Sequence, residues 1–284
     1  MPRWWSDQNG RAWLDELPAL VQRQCERWGL RIDGPPRHGS NALVVPVHRG
    51  GVPAALRLAP PGDDVAVESA TLAHWNGRGV VELLGVDTDA RAMLLERLDG
   101  SHSLHDVPVR EAVVILGELA KLLAIPAPES ARSTVSIAAE SVASFESEWE
   151  RLGRPTPRRQ IEAAIERASM LAELPDHRIS VNGDLHFGQV LAGTRYPWTV
   201  VDPVLLRGDR EYDLGRVLWS RLDELEQHDD VFDAFDDFVS AARVPAERAR
   251  SWVIVRTMSY LLWSLDAGLT WDPPKTRRIL DLFT

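Results

Sequence analysis

The sequence predicts an α+β protein, with a small β-rich N-terminal part and a larger helical C-terminal part. Three observations carry that expectation. Residues 41–47 and 52–58 are apolar, β-prone runs on either side of Gly50-Gly51, a pair suited to a tight hairpin turn. From Val109 onward apolar residues recur at helical spacing through the segments 109–123, 141–152, 159–174, 212–225, 231–242 and 246–267. Between the third and fourth of these lie two short apolar runs, 181–191 and 197–203, each with polar residues at an end.

Taken in order, residues 11–29 read as an amphipathic helix, because Trp13, Leu14, Leu17, Leu20, Val21 and Cys25 share one face. The hairpin at 41–58 follows, and Pro46 and Pro53 mark its strands as edge or interrupted strands, since proline cannot donate to a ladder. A short helix is expected near 64–76, then strands at 80–86 and 92–96. The division into lobes fits best where a strand ends at Asp99-Gly100, giving an N-lobe of residues 1–97 and a C-lobe of 98–284. Pro126 and Pro128 sit in a loop inside the C-lobe, not at a boundary. Gly268 is a suitable stop for the helix before it, in which Trp252 and Trp263 are expected as core.

Composition limits the function classes. A chain of 284 residues, at roughly 150 per domain, makes one large domain or two lobes. Net charge −10 argues against nucleic acid as a partner, which calls for a basic footprint. The lone Cys25 excludes an intrachain disulfide and a cysteine-based zinc site. No apolar run approaches the ~18–20 residues of a membrane span, and residues 1–7 hold no apolar signal core. A cytoplasmic protein is therefore expected. Of 32 basic residues only Lys121 and Lys275 are lysine, and neither follows a glycine, so no phosphate-binding GxxxxGK[ST] loop exists. HExxH and GxSxG are also absent.

The chemistry concentrates in Asn182-Gly-Asp-Leu-His-Phe-Gly-Gln189 and in Asp202, at the end of Thr199-Val-Val-Asp202. An aspartate followed five residues later by a side-chain amide, with a second aspartate on a neighbouring strand, resembles the catalytic loop of protein kinases. The grouping has a physical reason. A phosphoryl donor needs a divalent cation on its phosphates, and carboxylate and amide oxygens suit Mg²⁺. One further carboxylate must take or orient the proton of the acceptor hydroxyl.

The run 182–191, with Asp202-Pro203 and Gly208-Asp-Arg-Glu-Tyr-Asp-Leu214, resembles the aminoglycoside phosphotransferase family pattern HGDLHxxN…D…GDxxxDL, and in particular its streptomycin 6-kinase and hydroxyurea-kinase branch. Further resembling stretches are 10–21, Trp75-Asn-Gly-Arg-Gly-Val-Val81, Met93-Leu-Leu-Glu-Arg-Leu-Asp-Gly100 and 197–203, so the likeness spans nearly the whole chain. The resemblance implies a protein-kinase-like bilobal fold and transfer of the γ-phosphate of ATP, with Mg²⁺, to a hydroxyl of a small molecule such as streptomycin, an antibiotic-resistance activity. Carried over by position, Asp184 would be the catalytic base, and Gln189 and Asp202 would hold the metal. Arg57 falls where the family has its phosphate-contacting lysine, with Glu68 as its helix partner. Glu96, Arg97 and Leu98 would form the hinge that meets the adenine, and the turn His38-Gly-Ser40-Asn41 would cover the phosphates. Asn182, His186 and Asp213 take supporting roles, Asp213 resembling an N-cap of the helix that follows.

Three positions depart from the family pattern: Asn182 replaces His, Gln189 replaces Asn, and Arg57 replaces Lys. Gln189 keeps the carbonyl oxygen on a longer arm. Arg57 can grip phosphate in a fork, but arginine and lysine are not interchangeable. The acceptor side is open to two readings. Asp223, Glu224, Glu226, Asp229, Asp230, Asp233, Asp236 and Asp237 form either solvated helix faces or a negative wall for a cationic substrate, with Asp209 and Glu211 as nearer candidates. Two rivals stand beside the drug kinase: a kinase of another small metabolite, and a catalytically silent nucleotide- or drug-binding module. The oligomeric state is not legible.

Overall fold

The structure is a computed structural model describing residues 8–39 and 41–284. The chain forms two compact units, one of Met1–Ser101 with Leu191–Asp202 and one of His102–Val190 with Pro203–Thr284. The segment Leu191–Asp202, placed in the C-lobe by its position in sequence, thus clusters with the first unit. Its physical reason is strand pairing: Val200 bridges Val80, and the two backbone bonds Val81 N–H to Val200 and Val200 N–H to Gly79 are each 2.9 Å.

The first unit opens with helix α1 (Gln8–Trp28), followed by β1 (Leu30–Ile32), β2 (Arg37–His38), β3 (Leu43–Arg49) and β4 (Val52–Leu58). Helix α2 (Val65–Trp75), β5 (Leu83–Asp87), β6 (Ala92–Glu96) and β7 (Asp99–Ser103) complete its first stretch. The sheet runs β1-β3-β4-β6-β5, with β2 on β3, and these neighbours pair antiparallel. Alternation sends Val45, Val47, Ala54, Leu56, Leu58, Ala92 and Leu94 to one face, where Trp13, Leu17 and Cys25 of α1 cover them. Gly50 and Gly51 both adopt positive φ, 56° and 86°, as the tight hairpin requires.

The two prolines are not on edge strands. β3 shares its outer side between β1, which pairs from Val47 outward, and β2, which pairs at Leu43 and Val44; Pro46 falls in the gap. Pro53 sits beside the turn, just beyond the reach of β6, whose pairing starts at Ala54. The expected strand at 80–86 begins only at Leu83, because Val80 and Val81 pair instead with Val200.

The second unit comprises α3 (Val109–Leu123), β8 (Arg132–Ser133), α4 (Thr134–Arg151), α5 (Arg158–Ala172) and β9 (Ser180–Asn182). Strands β10 (Val190–Ala192) and β11 (Trp198–Val200) form the excursion to the first unit's fold. After it come β12 (Leu205–Arg207), α6 (Leu214–Ser220), α7 (His228–Ala242), α8 (Ala246–Asp266) and α9 (Asp272–Phe283). The expected single buried hairpin is two structures. β9 pairs with β12, β10 pairs with β11, and the polar loop 183–189 separates them. The helix expected at 212–225 is also broken. Short 3-10 turns at Arg210–Asp213 and Leu222–Glu224 flank α6. The break falls at Arg221, whose guanidinium donates to the backbone oxygens of Leu104 and Val107 at 2.8 Å each. Helix α8 is buried on most of its circumference, with Trp252, Met258 and Leu261 at 0% exposure. Trp263 is not core: it is 57% exposed. Among the described residues no helix is long and apolar enough to cross a membrane.

The protein-kinase-like α+β fold expected from the sequence is the fold observed, with its β-sheet region first and its helical region after.

Candidate active site

In the first unit the site begins on β4. Leu56 and Leu58 point to the α1 face, so Arg57 between them points to the opposite face, where α2 lies. Helix α2 is set by Asp64, whose carboxylate accepts from the amides of Ala66 and Val67 at 3.1 Å. That start brings Glu68 to Arg57. Arg57 is 7% exposed and donates to both Glu68 oxygens, at 2.5 Å and 3.3 Å. Burial pushes the Glu68 carboxyl above the usual carboxylate range, and the neighbouring guanidinium offsets only part of that rise. A second Arg57 nitrogen reaches Asp202 at 3.4 Å.

Asp202 ends β11 with φ of 55°, in the left-handed region that aspartate tolerates better than most residues. Its side chain is 56% exposed, and the contact with Arg57 is long. One carboxylate oxygen is thus left for another ligand. The three residues named from the sequence, Arg57, Glu68 and Asp202, are brought together.

The other first-unit candidates are placed as follows. Glu96 spends its amide on Glu82 at 2.9 Å and its carboxylate on Glu82 N–H at 3.0 Å and Arg195 at 2.5 Å. Arg97 turns back across the sheet, donating to the backbone oxygens of Ala54 and Val47 at 2.8 Å. Leu98 directly follows this pair at the end of β6. Of the turn expected over the phosphates, His38 ends β2 and Asn41, just before β3, donates to Asp63. Ser40 lies outside the described residues.

In the second unit the loop 183–189 is stitched to the segment before β12. Gly183 N–H donates to Val204 at 2.8 Å, and the Asn182 side-chain oxygen accepts from the amides of Asp184, at 3.2 Å, and Val204, at 3.0 Å. Gly183 is required there, since a Cβ would lie 2.8 Å from the branch carbon of Leu206. Downstream, Phe187 is fully buried, and a 3-10 turn over Phe187–Gln189 is capped by His186, whose Nδ1 accepts from Gly188 N–H at 3.2 Å. Burial, with the nearby cations, drives His186 down to about 3, so its ring is neutral and its role here is that of an acceptor.

This loop aims Asp184. Gln189 donates its amide to Asp184 Oδ2 at 2.6 Å, and Arg216 of α6 pairs with Oδ1. With the amide spent, the Gln189 Oε1 is buried and has no hydrogen-bond partner. A buried orphan carbonyl oxygen is a fitting ligand for a hard cation. Among the described residues no three His, Cys, Asp or Glu side chains gather as a metal site. The sparse donor set suits Mg²⁺, which takes one or two protein carboxylates and completes its shell with phosphate oxygens and water.

Asp213 is 2% exposed and does not cap its helix. Its own φ and ψ, −86° and −2°, are helical, so its carboxylate cannot turn back to the first amides of α6. It accepts instead from the Leu185 amide, next to Asp184. Burial pushes its carboxyl up to about 7.

The expected acceptor residues part company. Asp209 and Glu211 are both 3% exposed. Asp209 accepts from Trp252 Nε1 at 2.8 Å and from Arg248 at 3.3 Å, and Arg248 stands 3.8 Å from Glu211. These carboxylates serve the interior, not a ligand surface. Half of the acidic run is paired with basic side chains: Asp223 with Lys275, Glu224 with Arg221, and Asp233 and Asp237 with Arg110. Glu226 is exposed.

Sequence reasoning missed Arg216, which only the placed start of α6 reveals. It also missed an aromatic stack. Trp219 lies parallel to Tyr260 at 4.8 Å, and Tyr260 stacks on Trp263 at 5.4 Å, leading from the core to solvent. The Tyr260 hydroxyl donates to Asp272 at 2.9 Å, and Asp184 and Arg216 lie within electrostatic reach of its ring. Spacing 260/263 on a helix reads equally well as core, so the stack is not legible from the sequence.

Comparison with known proteins follows the same lines. The sequence pattern of the aminoglycoside/hydroxyurea antibiotic resistance kinase family matches residues 27–268. A hydroxyurea phosphotransferase of Kitasatospora aureofaciens is 37% identical over 264 residues, covering 91% of this chain and 76% of that protein. A streptomycin 6-kinase of Streptomyces griseus is 36% identical over 270 residues, covering 93% and 88%. Among solved structures, the aminoglycoside phosphotransferase APH(4)-Ia superposes with a TM-score of 0.67 at 16% identity, over 93% of this chain and 99% of that one, a likeness of fold.

Proposed function

The chain belongs to the aminoglycoside/hydroxyurea antibiotic resistance kinase family, and from that premise we propose that it transfers the γ-phosphate of ATP to a hydroxyl of an aminoglycoside such as streptomycin. The observation that carries this reading is the grip on Asp184: both carboxylate oxygens are held, by Gln189 and Arg216, in a loop anchored on either side. A carboxylate so oriented can accept a hydroxyl proton, or align the hydroxyl, without reorganising.

The roles follow from the contacts. Asp184 faces the acceptor hydroxyl. Gln189, through its unpartnered oxygen, and Asp202, through its exposed carboxylate, are the residues that would hold Mg²⁺, which when bound neutralises phosphate charge. Arg57 supplies the phosphate contact in the first unit, oriented by Glu68 in a two-pronged pair. Leu98, after β6, remains the candidate for adenine. The reaction belongs in the cytoplasm, where ATP and Mg²⁺ are supplied. On the acceptor side the partly buried Tyr260 and exposed Trp263 offer a stacking face for a sugar or cyclitol ring.

A second acceptor class, small and uncharged like hydroxyurea, is favoured by one observation. Arg216 places a cation directly on Asp184, where a polycationic drug would be repelled. A panel of acceptors with ATP and Mg²⁺, read by mass spectrometry, separates the two. A phosphorylated aminoglycoside, lost in Asp184→Asn, supports the main reading; phosphorylation of hydroxyurea alone selects the second. Nucleotide binding with no product from any acceptor would leave only a silent binding module.

A further inference from the structure

Behind the loop that carries Asp184 lies a cavity of about 10 Å³, lined by Ala120, Val181, Asn182, Leu185, Arg210 and Asp213. That is the space of one water molecule. Two of its lining residues carry a buried polar atom that is unpaired within the protein. Asn182 Nδ2, a donor on a residue 4% exposed, has no hydrogen-bond partner, and neither does Asp213 Oδ1, an acceptor on a residue 2% exposed. Arg256 approaches that oxygen only to 4.0 Å. Buried polar groups are normally paired with protein or ordered water, so an unmet donor and an unmet acceptor on residues lining one water-sized cavity call for a bridge.

We propose that this cavity is a binding site for a single structural water, which accepts from Asn182 Nδ2 and donates to Asp213 Oδ1, with Arg210 as a further polar neighbour. The water closes a ring around the loop. On one side the Asn182 oxygen holds the Asp184 amide at 3.2 Å; on the other the Asp213 carboxylate holds the Leu185 amide. These are successive backbone groups at the reacting carboxylate. Asn182 and Asp213 are therefore positioning residues for Asp184, and the water couples them.

The positioning role rests on Asp184 acting as proposed above; the water itself does not, and the test separates the two. A high-resolution crystal structure of the protein should show one density peak within hydrogen-bond distance of both Asn182 Nδ2 and Asp213. Asn182→His should fill the cavity with its ring, lose the peak, and retain slow amide exchange at Leu185. Asn182→Leu keeps the volume and removes the polar atoms. It should speed exchange at Asp184 and Leu185 by about 10-fold, the equivalent of one hydrogen bond. If phosphate transfer has been established, the same variant should lower kcat by roughly 10-fold with KM for ATP unchanged, as a misaligned group does. A dry cavity in the wild type, or unchanged exchange in Asn182→Leu, overturns the water bridge. Faster exchange with unchanged kcat overturns the positioning role alone. Should Asn182→Leu fail to fold, the wild-type density and the Asn182→His exchange still decide the matter.

Discussion

Asp202 in the first unit stands 56% exposed, in a left-handed backbone conformation, touching Arg57 by one contact of 3.4 Å. Asp184 in the second unit is only 26% exposed, and both its oxygens are engaged, one by Gln189 at 2.6 Å and one by Arg216. Each unit thus sets an arginine against an aspartate proposed for the site, but to different ends. Arg57 spends its shorter bonds on Glu68, so Asp202 is left loose enough to meet another ligand. Arg216 and Gln189 spend theirs on Asp184, fixing its direction. A metal ligand tolerates freedom because the cation gathers its own shell; a group that must face one hydroxyl does not.

The largest effect expected is from removing the fixed aspartate. Asp184→Asn should lower kcat by about 10²–10⁴-fold, the range for losing a general base, while nucleotide affinity stays within a few-fold. Equal losses in both measurements would erase the distinction between the two aspartates. Next comes Arg57→Ala, which removes the proposed phosphate contact and leaves Glu68, pushed up by burial, without its cation. KM for ATP should rise by roughly 10-fold or more, the worth of a charge-assisted hydrogen bond, and Arg57→Lys should recover only part of it, because a lysine cannot bond both Glu68 oxygens in a fork. Titration calorimetry with ATP and Mg²⁺ reads this directly, and full recovery by lysine would show that the fork is dispensable. A smaller effect is expected at the exposed end of the aromatic stack. Trp263→Ala should raise KM for the acceptor by about 5- to 10-fold, as loss of one stacking contact does, with Tm and KM for ATP unchanged. An unchanged acceptor KM would remove the stack from the acceptor site.

These features were unequally legible. The Arg57–Glu68–Asp202 group could be named from the sequence because the resemblance to the kinase family carries Arg57 and Glu68 over by position, while Asp202 also ends a recognisable strand. The hairpin around Gly50-Gly51 and α3 were legible for a different reason: local pattern and burial agree. Arg216 was not, because its partner lies across the fold and nothing local distinguishes it from the other surface arginines. Asp209 and Glu211 misled in the opposite direction. As acids near the motif they looked like ligand groups, yet tertiary packing against Trp252 and Arg248 takes them inside. Helix α9, opening with Pro273-Pro274, is short, and its apolar face emerges only against α8.

The buried acids give the comparison its last and smallest test. Glu68 keeps a close guanidinium at 2.5 Å, whereas Glu211 has Arg248 only at 3.8 Å and Arg210 nearby, with Asp209 opposing them. Burial, with Asp209 adding to it, pushes Glu211 from its ordinary 4.5 up to about 7. Below pH 4.5 both folded and unfolded chains hold this proton, so Glu211 contributes its full share of stability. Between pH 4.5 and about 7 the unfolded chain releases the proton and the folded one keeps it, so that share drains away as pH rises. Glu211→Gln keeps the shape and cannot ionise. The Tm of the variant relative to wild type should therefore climb by a few degrees between about pH 4.5 and pH 8, as a ΔΔG on the order of 1–2 kcal/mol would produce in a chain of this size. A Tm difference that stays constant across that range would mean that Glu211 is ionised in the fold, and that Arg248 and Arg210 offset its burial in full.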